Sequence, residues 1–207
     1  MYIPSRFKVT DAAEIAGFIQ ENSFGTIITI EDGKPIATHI PMQFHQKHEA
    51  SYITGHFAIA NPQWKTMKNG KEKVLVIFQG PHAYISSTWY QHENVPTWNY
   101  QAIHVYGMPR ILNDQELEED LTALLEKYER HRSPAVLWEN MSSETKKQIK
   151  GIVGFEIKIE EIQAAYKLSQ NRNEVDYQQI IQQLKQENNP NAAQIAQQME
   201  KKKNDRR

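Results

Sequence analysis

At 207 residues, with 39% apolar and 24% charged side chains, the chain has the make-up of a globular protein that can bury a core, suited to one domain with an appendage. A formal charge of −1 gives the whole molecule no attraction for nucleic acid or anionic lipid, and the lack of cysteine excludes disulfides, thiolate nucleophiles and Cys zinc sites. The longest strongly apolar run, 74–78, is far short of the ~20 residues of a membrane span, and the opening MYIPSRFKVTD lacks the apolar segment of a signal peptide, so a cytoplasmic protein with no membrane partner is expected.

Asp11 with Glu14 is a capping-box pattern, and Ile15, Phe18 and Ile19 make one apolar stripe, which predicts a helix over 12–22. Residues 24–30 are a β-branched run, and Glu31-Asp32-Gly33-Lys34 signals a hairpin turn. A second strand is predicted over 36–44. Pro41 removes a ladder donor there, so this strand is expected at an edge or with a bulge. A third strand follows over 51–57. Asn61-Pro62 starts a short helix over 62–68, either a capped surface helix or an anion site with Lys65 one turn in.

The run 73–79 is apolar on both faces and reads as a central strand. Gly80-Pro81 reads as a turn, 83–86 as the start of another strand, 89–94 as a loop, and 97–112 as a long strand. In that strand Ile103 and Val105 face one way, His104 and Tyr106 the other, and Gly107 and Pro109 mark a bulge or bend.

From there the pattern becomes helical. Asn113 with Glu116 is a second capping box, and Leu117, Leu121, Leu124, Leu125 and Tyr128 form an amphipathic face ending near Arg132. A short helix is predicted over 142–150 and a strand over 152–159, with Phe155, Ile157 and Ile159 inward. The polar stretch 167–172 reads as a connector, followed by helices over 173–186 and from Pro190. The terminal KKKNDRR reads as a solvated charge run, with phosphate contact the other reading. Short strands, hairpin turns and no βαβ alternation predict a mainly β, α+β fold: an antiparallel barrel with peripheral helices. A small barrel fills its own interior, so a ligand must lie in a groove at its rim or between two subunits.

Residues 80–110 hold Trp89, Trp98, Tyr84, Tyr90, Tyr100 and Tyr106 among His82, His92, His104, Ser86, Thr97 and Asn99. Aromatic faces mixed with hydroxyl, amide and imidazole groups suit a flat ligand with polar edges, and equally an aromatic core strand pair with a polar loop. The eight histidines are scattered and show no metal-ligand spacing, so no metal site is expected.

GHFAIANPQWK at 55–65 and SSTWY…VPTWNYQAIHVYG across 86–107 resemble the PaiB-type FMN-binding negative transcriptional regulators. The resemblance extends from MYIPSRF through THIP at 38–41 to KLSQNR at 167–172. It implies an FMN-binding split β-barrel over 1–172, of the flavin-reductase and pyridoxamine-phosphate-oxidase kind, with a C-terminal helical extension over 173–207. It also implies a homodimer, FMN at the subunit interface, and a repressor role in sporulation and degradative-enzyme (protease) production. The matching motif residues are Thr38, His39 and Pro41, then His56, Ala58, Asn61, Trp64 and Lys65, then Ser86, Trp89, Tyr90, Pro96, Thr97, Trp98 and Asn99, and finally Lys167, Gln170, Asn171 and Arg172.

An FMN phosphate carries about −1.5 to −2 charges near neutral pH and requires cations and N–H or O–H donors. Lys65, Lys167, Arg172, Ser86, Thr97 and the amides that open the 62–68 helix are the candidates. Only arginine offers a planar fork for phosphate, so Arg172 is expected to matter most; its alternative is a surface ion pair with Glu174. The isoalloxazine would lie on Trp89 or Trp98 with Asn99 or Gln170 at its edge, and both tryptophans could equally be core. His39 and His104 are candidate acids or bases. Beside the regulator stand an FMN-dependent oxidoreductase and a haem-utilisation-like split barrel with His39 or His56 as axial ligand. No helix-turn-helix is evident, so DNA contact would need a local basic patch, either Lys65, Lys68, Lys71 and Lys73 or KKKNDRR.

Overall fold

The computed structural model of the chain describes residues 1–204. Seven strands form one antiparallel sheet: β1 (Lys8–Val9), β2 (Phe24–Glu31), β3 (Lys34–Lys47), β4 (Ala50–Ala58), β5 (Val74–Ile85), β6 (Thr97–Ile111) and β7 (Ile152–Lys167). Their order is β1-β7-β4-β3-β2-β5-β6, and β6 pairs again with β7, which closes the ladder into a barrel. Five helices accompany it: α1 (Ala12–Glu21), α2 (Asp114–Glu129), α3 (Ser143–Lys146), α4 (Glu174–Gln186) and α5 (Pro190–Asn204). This is the split-barrel architecture expected.

Several elements form for the local reasons read from the sequence. The Asp11 carboxylate accepts from the Glu14 amide at 2.7 Å at the start of α1. Asn113 and Glu116 make a reciprocal capping box at the start of α2. Asp32 and Gly33 take positive φ (49° and 78°) in the β2–β3 turn, the geometry a two-residue hairpin loop needs. Asn61 caps the turn after β4, which is a 3-10 helix, Pro62–Met67, rather than an α-helix.

Other elements differ. Residue Pro41 is neither on an edge strand nor at a bulge. β3 pairs with β2 over Lys34–Pro41 and with β4 over Met42–Lys47, and Pro41 stands where the strand exchanges one neighbour for the other. An N–H is least needed at such a changeover. Gly80-Pro81 is not a turn, because β5 runs unbroken from Val74 to Ile85. Pro81 lies beyond Leu75–Ile77, the part of β5 that pairs with β2, so its missing donor takes nothing from that ladder. The last strand continues to Lys167, past the expected 159. Lys201, Lys202 and Lys203 of the terminal charge run belong to α5, while Asp205, Arg206 and Arg207 lie outside the described residues.

The chain divides into two compact units. One comprises Met1–Phe18, Gln79–His104 and the chain from Gln163 onward. Its core includes Ile85, Ile103, Leu168, Ile180, Leu184 and Ile195, and Phe18 packs on Tyr166 with ring centroids 5.3 Å apart. Here α4 and α5 pack together, and the Tyr177 hydroxyl donates to the Met199 carbonyl at 2.8 Å. The other unit comprises Ile19–Phe78 and Val105–Ile162. Its core includes Ile27, Met42, Ile53, Phe57, Phe155 and Ile157, all at most 1% exposed. Gly107 allows the closest backbone approach there: a methyl group at its Cα would stand 2.2 Å from the Lys158 carbonyl oxygen.

Candidate functional site

β7 ends in Lys167, and Leu168–Asn173 turns the chain into α4. Ser169 takes φ +59°, a left-handed conformation that a non-glycine residue adopts only when its surroundings hold it. What holds it is Asn99, fully buried on β6. The Asn99 amide donates to the Ser169 hydroxyl at 3.0 Å, and that hydroxyl donates back to the Asn99 carbonyl oxygen at 3.1 Å. Gln170 closes the turn, accepting from the Leu168 amide at 2.6 Å and donating to the Tyr166 carbonyl.

This turn delivers two cations to one cleft of about 300 Å³, whose walls include Arg6, Phe7, Pro96, Thr97, Lys167 and Arg172, with Asn171 at the rim. The Lys167 ammonium donates to the Thr97 hydroxyl. The Arg172 guanidinium lies 4.5 Å from the centroid of the Tyr90 ring, a cation–π contact. Among the described residues no carboxylate pairs with Arg6, Lys167 or Arg172. Glu174, the alternative partner for Arg172, makes an ion pair with Lys203. Burial first and the neighbouring Arg172 charge second hold the Lys167 ammonium below the usual lysine range. An ammonium, two guanidinium groups, a hydroxyl and a carboxamide without an acid are the donor set of an oxyanion such as a phosphate, so the cleft fits the phosphate end of FMN.

On the other face of β6 stands an aromatic group. Side chains alternate along a strand, so Thr97 and Asn99 face one way and Trp98 the other. Trp98 is 52% exposed and contacts His82 and Tyr84 of β5, with centroids 5.8 and 6.0 Å apart. Ser86 caps the 3-10 turn Ser87–Trp89, accepting from the Thr88 amide, and Trp89 at the end of that turn is half-buried. Next to the turn, the buried Asp176 of α4 accepts from the Gln91 amide at 3.0 Å and fixes the loop after Tyr90.

The remaining candidates lie in the second unit, where they serve one another. The Asn61 amide donates to the Thr38 hydroxyl at 2.9 Å, and Thr38 donates to the Gln63 carboxamide oxygen at 2.5 Å. Buried Gln63 reaches the Ile27 and Ile36 carbonyls. Trp64 donates its indole N–H to the Ile59 carbonyl at 3.1 Å, and Lys68 lies over its ring. His39 and Lys65 are exposed. Desolvation pushes the His56 imidazole below its ordinary value, against the opposing charge of Asp120. Asp120 is itself buried and accepts from Gln43 and Thr54.

Arg6 and Phe7 of the cleft were not among the sequence candidates. Nothing in the run MYIPSRF marks Arg6 as a ligand residue. It reaches the cleft because β1 pairs Lys8 with Ala165, two residues before Lys167. Among the described residues no cluster of His, Asp and Glu could hold a metal ion, and no helix is long and apolar enough to cross a membrane.

A closed antiparallel barrel of this topology defines the class of split-barrel proteins. The chain belongs to the family described as the putative FMN-binding domain, whose sequence model matches residues 1–161. It is 62% identical over 203 residues, 98% of each chain, to the "Protease synthase and sporulation protein PAI 2" of Bacillus subtilis strain 168. An uncharacterised protein of Emericella nidulans is 26% identical over 87% of this chain and 89% of its own. Among solved structures, an FAD and heme binding protein from Mycobacterium smegmatis aligns with a TM-score of 0.60 at 15% identity, over 77% of this chain and 73% of that one. A flavocytochrome from Azotobacter vinelandii aligns with 0.61 at 14%, over 83% and 75%. At such identities these two share the fold alone.

Proposed function

We propose that the protein is a PaiB-type negative regulator of transcription, acting on sporulation and protease production, whose regulatory ligand is FMN. The observation that carries the ligand is the pair of cations, Lys167 and Arg172, presented to one cleft by a strained turn and left without a carboxylate among the described residues. Lys167, Arg172, Thr97 and Asn171 would hold the phosphate. Bound flavin supplies hydride and single-electron transfer, while the protein supplies position and charge. The exposed Trp98 and Tyr84, with half-buried His82 beside them, form the surface a second copy of the chain would cover, which gives a homodimer in the cytoplasm. The regulatory role rests on the similarity to the Bacillus subtilis protein.

The ligand test is titration of the purified protein with FMN, followed by flavin fluorescence, for the wild type and Lys167→Ala/Arg172→Ala. Saturable uptake that the double variant loses supports the reading. No uptake by the wild type, or equal uptake by both, overturns it. The regulatory half is tested by mobility shift of promoter fragments with and without FMN across a salt series. Lys73 is paired with Glu160 and Lys68 lies on Trp64, so that patch offers DNA less free charge than its sequence suggests. Absence of a shift at low salt would make the regulation indirect.

A further inference from the structure

We propose that Arg6 is a ligand-binding residue of the cationic cleft, and that Tyr2–Phe7 is a strap that a phosphate monoester draws against Lys167 and Arg172. The inference rests on the reading of the cleft as a phosphate site and adds the part that responds to occupancy.

The strap is tied at both ends: the Met1 ammonium donates to the Gln163 side chain, and a two-residue strand follows Phe7. β1 is only Lys8–Val9, antiparallel to Ala165 and Ala164 of β7. That register, carried two residues on, sets Arg6 opposite Lys167. Like charges facing each other across an antiparallel ladder repel, and here the ladder stops before them. The chain leaves it in the 3-10 turn Ser5–Phe7, in which the Phe7 amide donates to the Pro4 carbonyl at 2.9 Å. Arg6 is exposed, lines the cleft and has no carboxylate partner among the described residues. Tyr2, at the same rim, is 87% exposed. Arg6 therefore stands in the cleft wall as an exposed cation.

A dianion between the three cations reverses the sign of the interaction. Each cation then gains a counter-charge, which draws Arg6 toward Lys167 and Arg172. The ligand class is a phosphate monoester: its oxygens allow bidentate contact from each guanidinium as well as a contact from the ammonium. A ligand with the same ring and no phosphate leaves the strap where it is.

The test uses the full-length protein with FMN, riboflavin and inorganic phosphate as separate probes. The first readout is tryptic cleavage at the Arg6–Phe7 bond, located by mass spectrometry. FMN is expected to slow that cut by about tenfold, the equivalent of ~1.4 kcal/mol of strap engagement, and inorganic phosphate to slow it at higher concentration, while riboflavin leaves it unchanged. The second is FMN affinity of Arg6→Ala, which lies on the surface and should fold normally, with a loss of about tenfold expected for one charge-assisted contact. If Lys167→Ala weakens FMN binding while Arg6→Ala does not, and cleavage is indifferent to FMN, the strap is wrong and the cleft stands. If the wild type binds neither FMN nor phosphate, both readings fall.

Discussion

Asn99 and Ser169 exchange two hydrogen bonds, 3.0 and 3.1 Å, seventy residues apart in the chain, and one of the partners has φ +59°. The pair is the fastening of the cleft. Asn99 also donates to the Met199 sulfur at 3.5 Å, so β6, the Lys167–Arg172 turn and α5 meet at one carboxamide. Replacing Asn99 with Ala leaves a buried hydroxyl without its partner and a strained residue without its restraint. A loss of about 1–3 kcal/mol is expected from the unsatisfied group alone. Ser169→Gly forfeits the same bonds but adopts positive φ freely, so it should cost less than Asn99→Ala. Urea unfolding of the two variants checks the order.

Gly107 makes a sharper case. A Cβ there meets the Lys158 carbonyl oxygen at 2.2 Å and a methyl of Ile157 at 2.7 Å, and neither backbone can give way cheaply. Gly107→Ala should destabilise by on the order of 3 kcal/mol or prevent folding. A midpoint of unfolding within experimental error of the wild type would show that β6 and β7 can part locally.

These two positions also show how much of the molecule was legible in advance. Local signals were readable: the Asp11 cap of α1, the Asn113–Glu116 capping box, the Asp32-Gly33 hairpin, the alternation of Ile103 and Val105 against His104 and Tyr106, and the Asn61 cap. Signals that depend on a neighbour were not. Pro81 and Pro41 read as interruptions because a sequence does not say which face of a strand lacks a partner. Asn99 and Gln170 read as ring-edge donors for a ligand, whereas their carboxamides are spent on holding a turn. The resemblance put Lys167 and Arg172 in the candidate set. It did not give the cleft's N-terminal wall, because Arg6 arrives only through the pairing of β1 with β7.

In the second unit, Arg110 bridges two acids, donating to Glu156 at 2.8 Å and Glu116 at 2.8 Å. Glu156 has a side chain only 7% exposed, with Lys47 at 3.1 Å as its other partner. Arg110→Ala leaves that carboxylate with a single exposed lysine. Breaking a buried pair costs about 3–5 kcal/mol, and the half-exposed Arg110 and the surviving Lys47 reduce this to roughly 2 kcal/mol. Arg110→Ala/Glu156→Gln should recover part of the loss, measured by the same unfolding experiment.

Acid should weaken the fold through His56. Its folded value lies below that of free imidazole, chiefly through desolvation. Between the two values the unfolded chain binds more protons, so stability falls as pH drops below about 6.5 and the dependence ends once pH is below the folded value. His104 adds in the same direction, because burial first and the positive amino terminus second hold it low. His56→Gln is expected to flatten the acid limb of a plot of unfolding midpoint against pH. An unchanged limb would mean that His56 does not govern it.

Lys167 predicts a pH dependence of the opposite limb, in binding rather than in stability. Burial and Arg172 hold its ammonium below the ordinary lysine value of about 10.4. A phosphate monoester keeps its full charge once pH exceeds about 7, so from there upward the cleft's charge changes first at Lys167. Loss of that proton removes a cation from the proposed phosphate site, and FMN affinity should therefore begin to fall at a pH where an ordinary lysine is still fully charged. The anion in turn favours the ammonium, so binding in that range takes up protons, which calorimetry in buffers of different ionisation enthalpy detects. Lys167→Arg keeps its charge throughout and should bind FMN with an affinity independent of pH over the same range. Parallel curves for the wild type and Lys167→Arg would place the titrating group elsewhere.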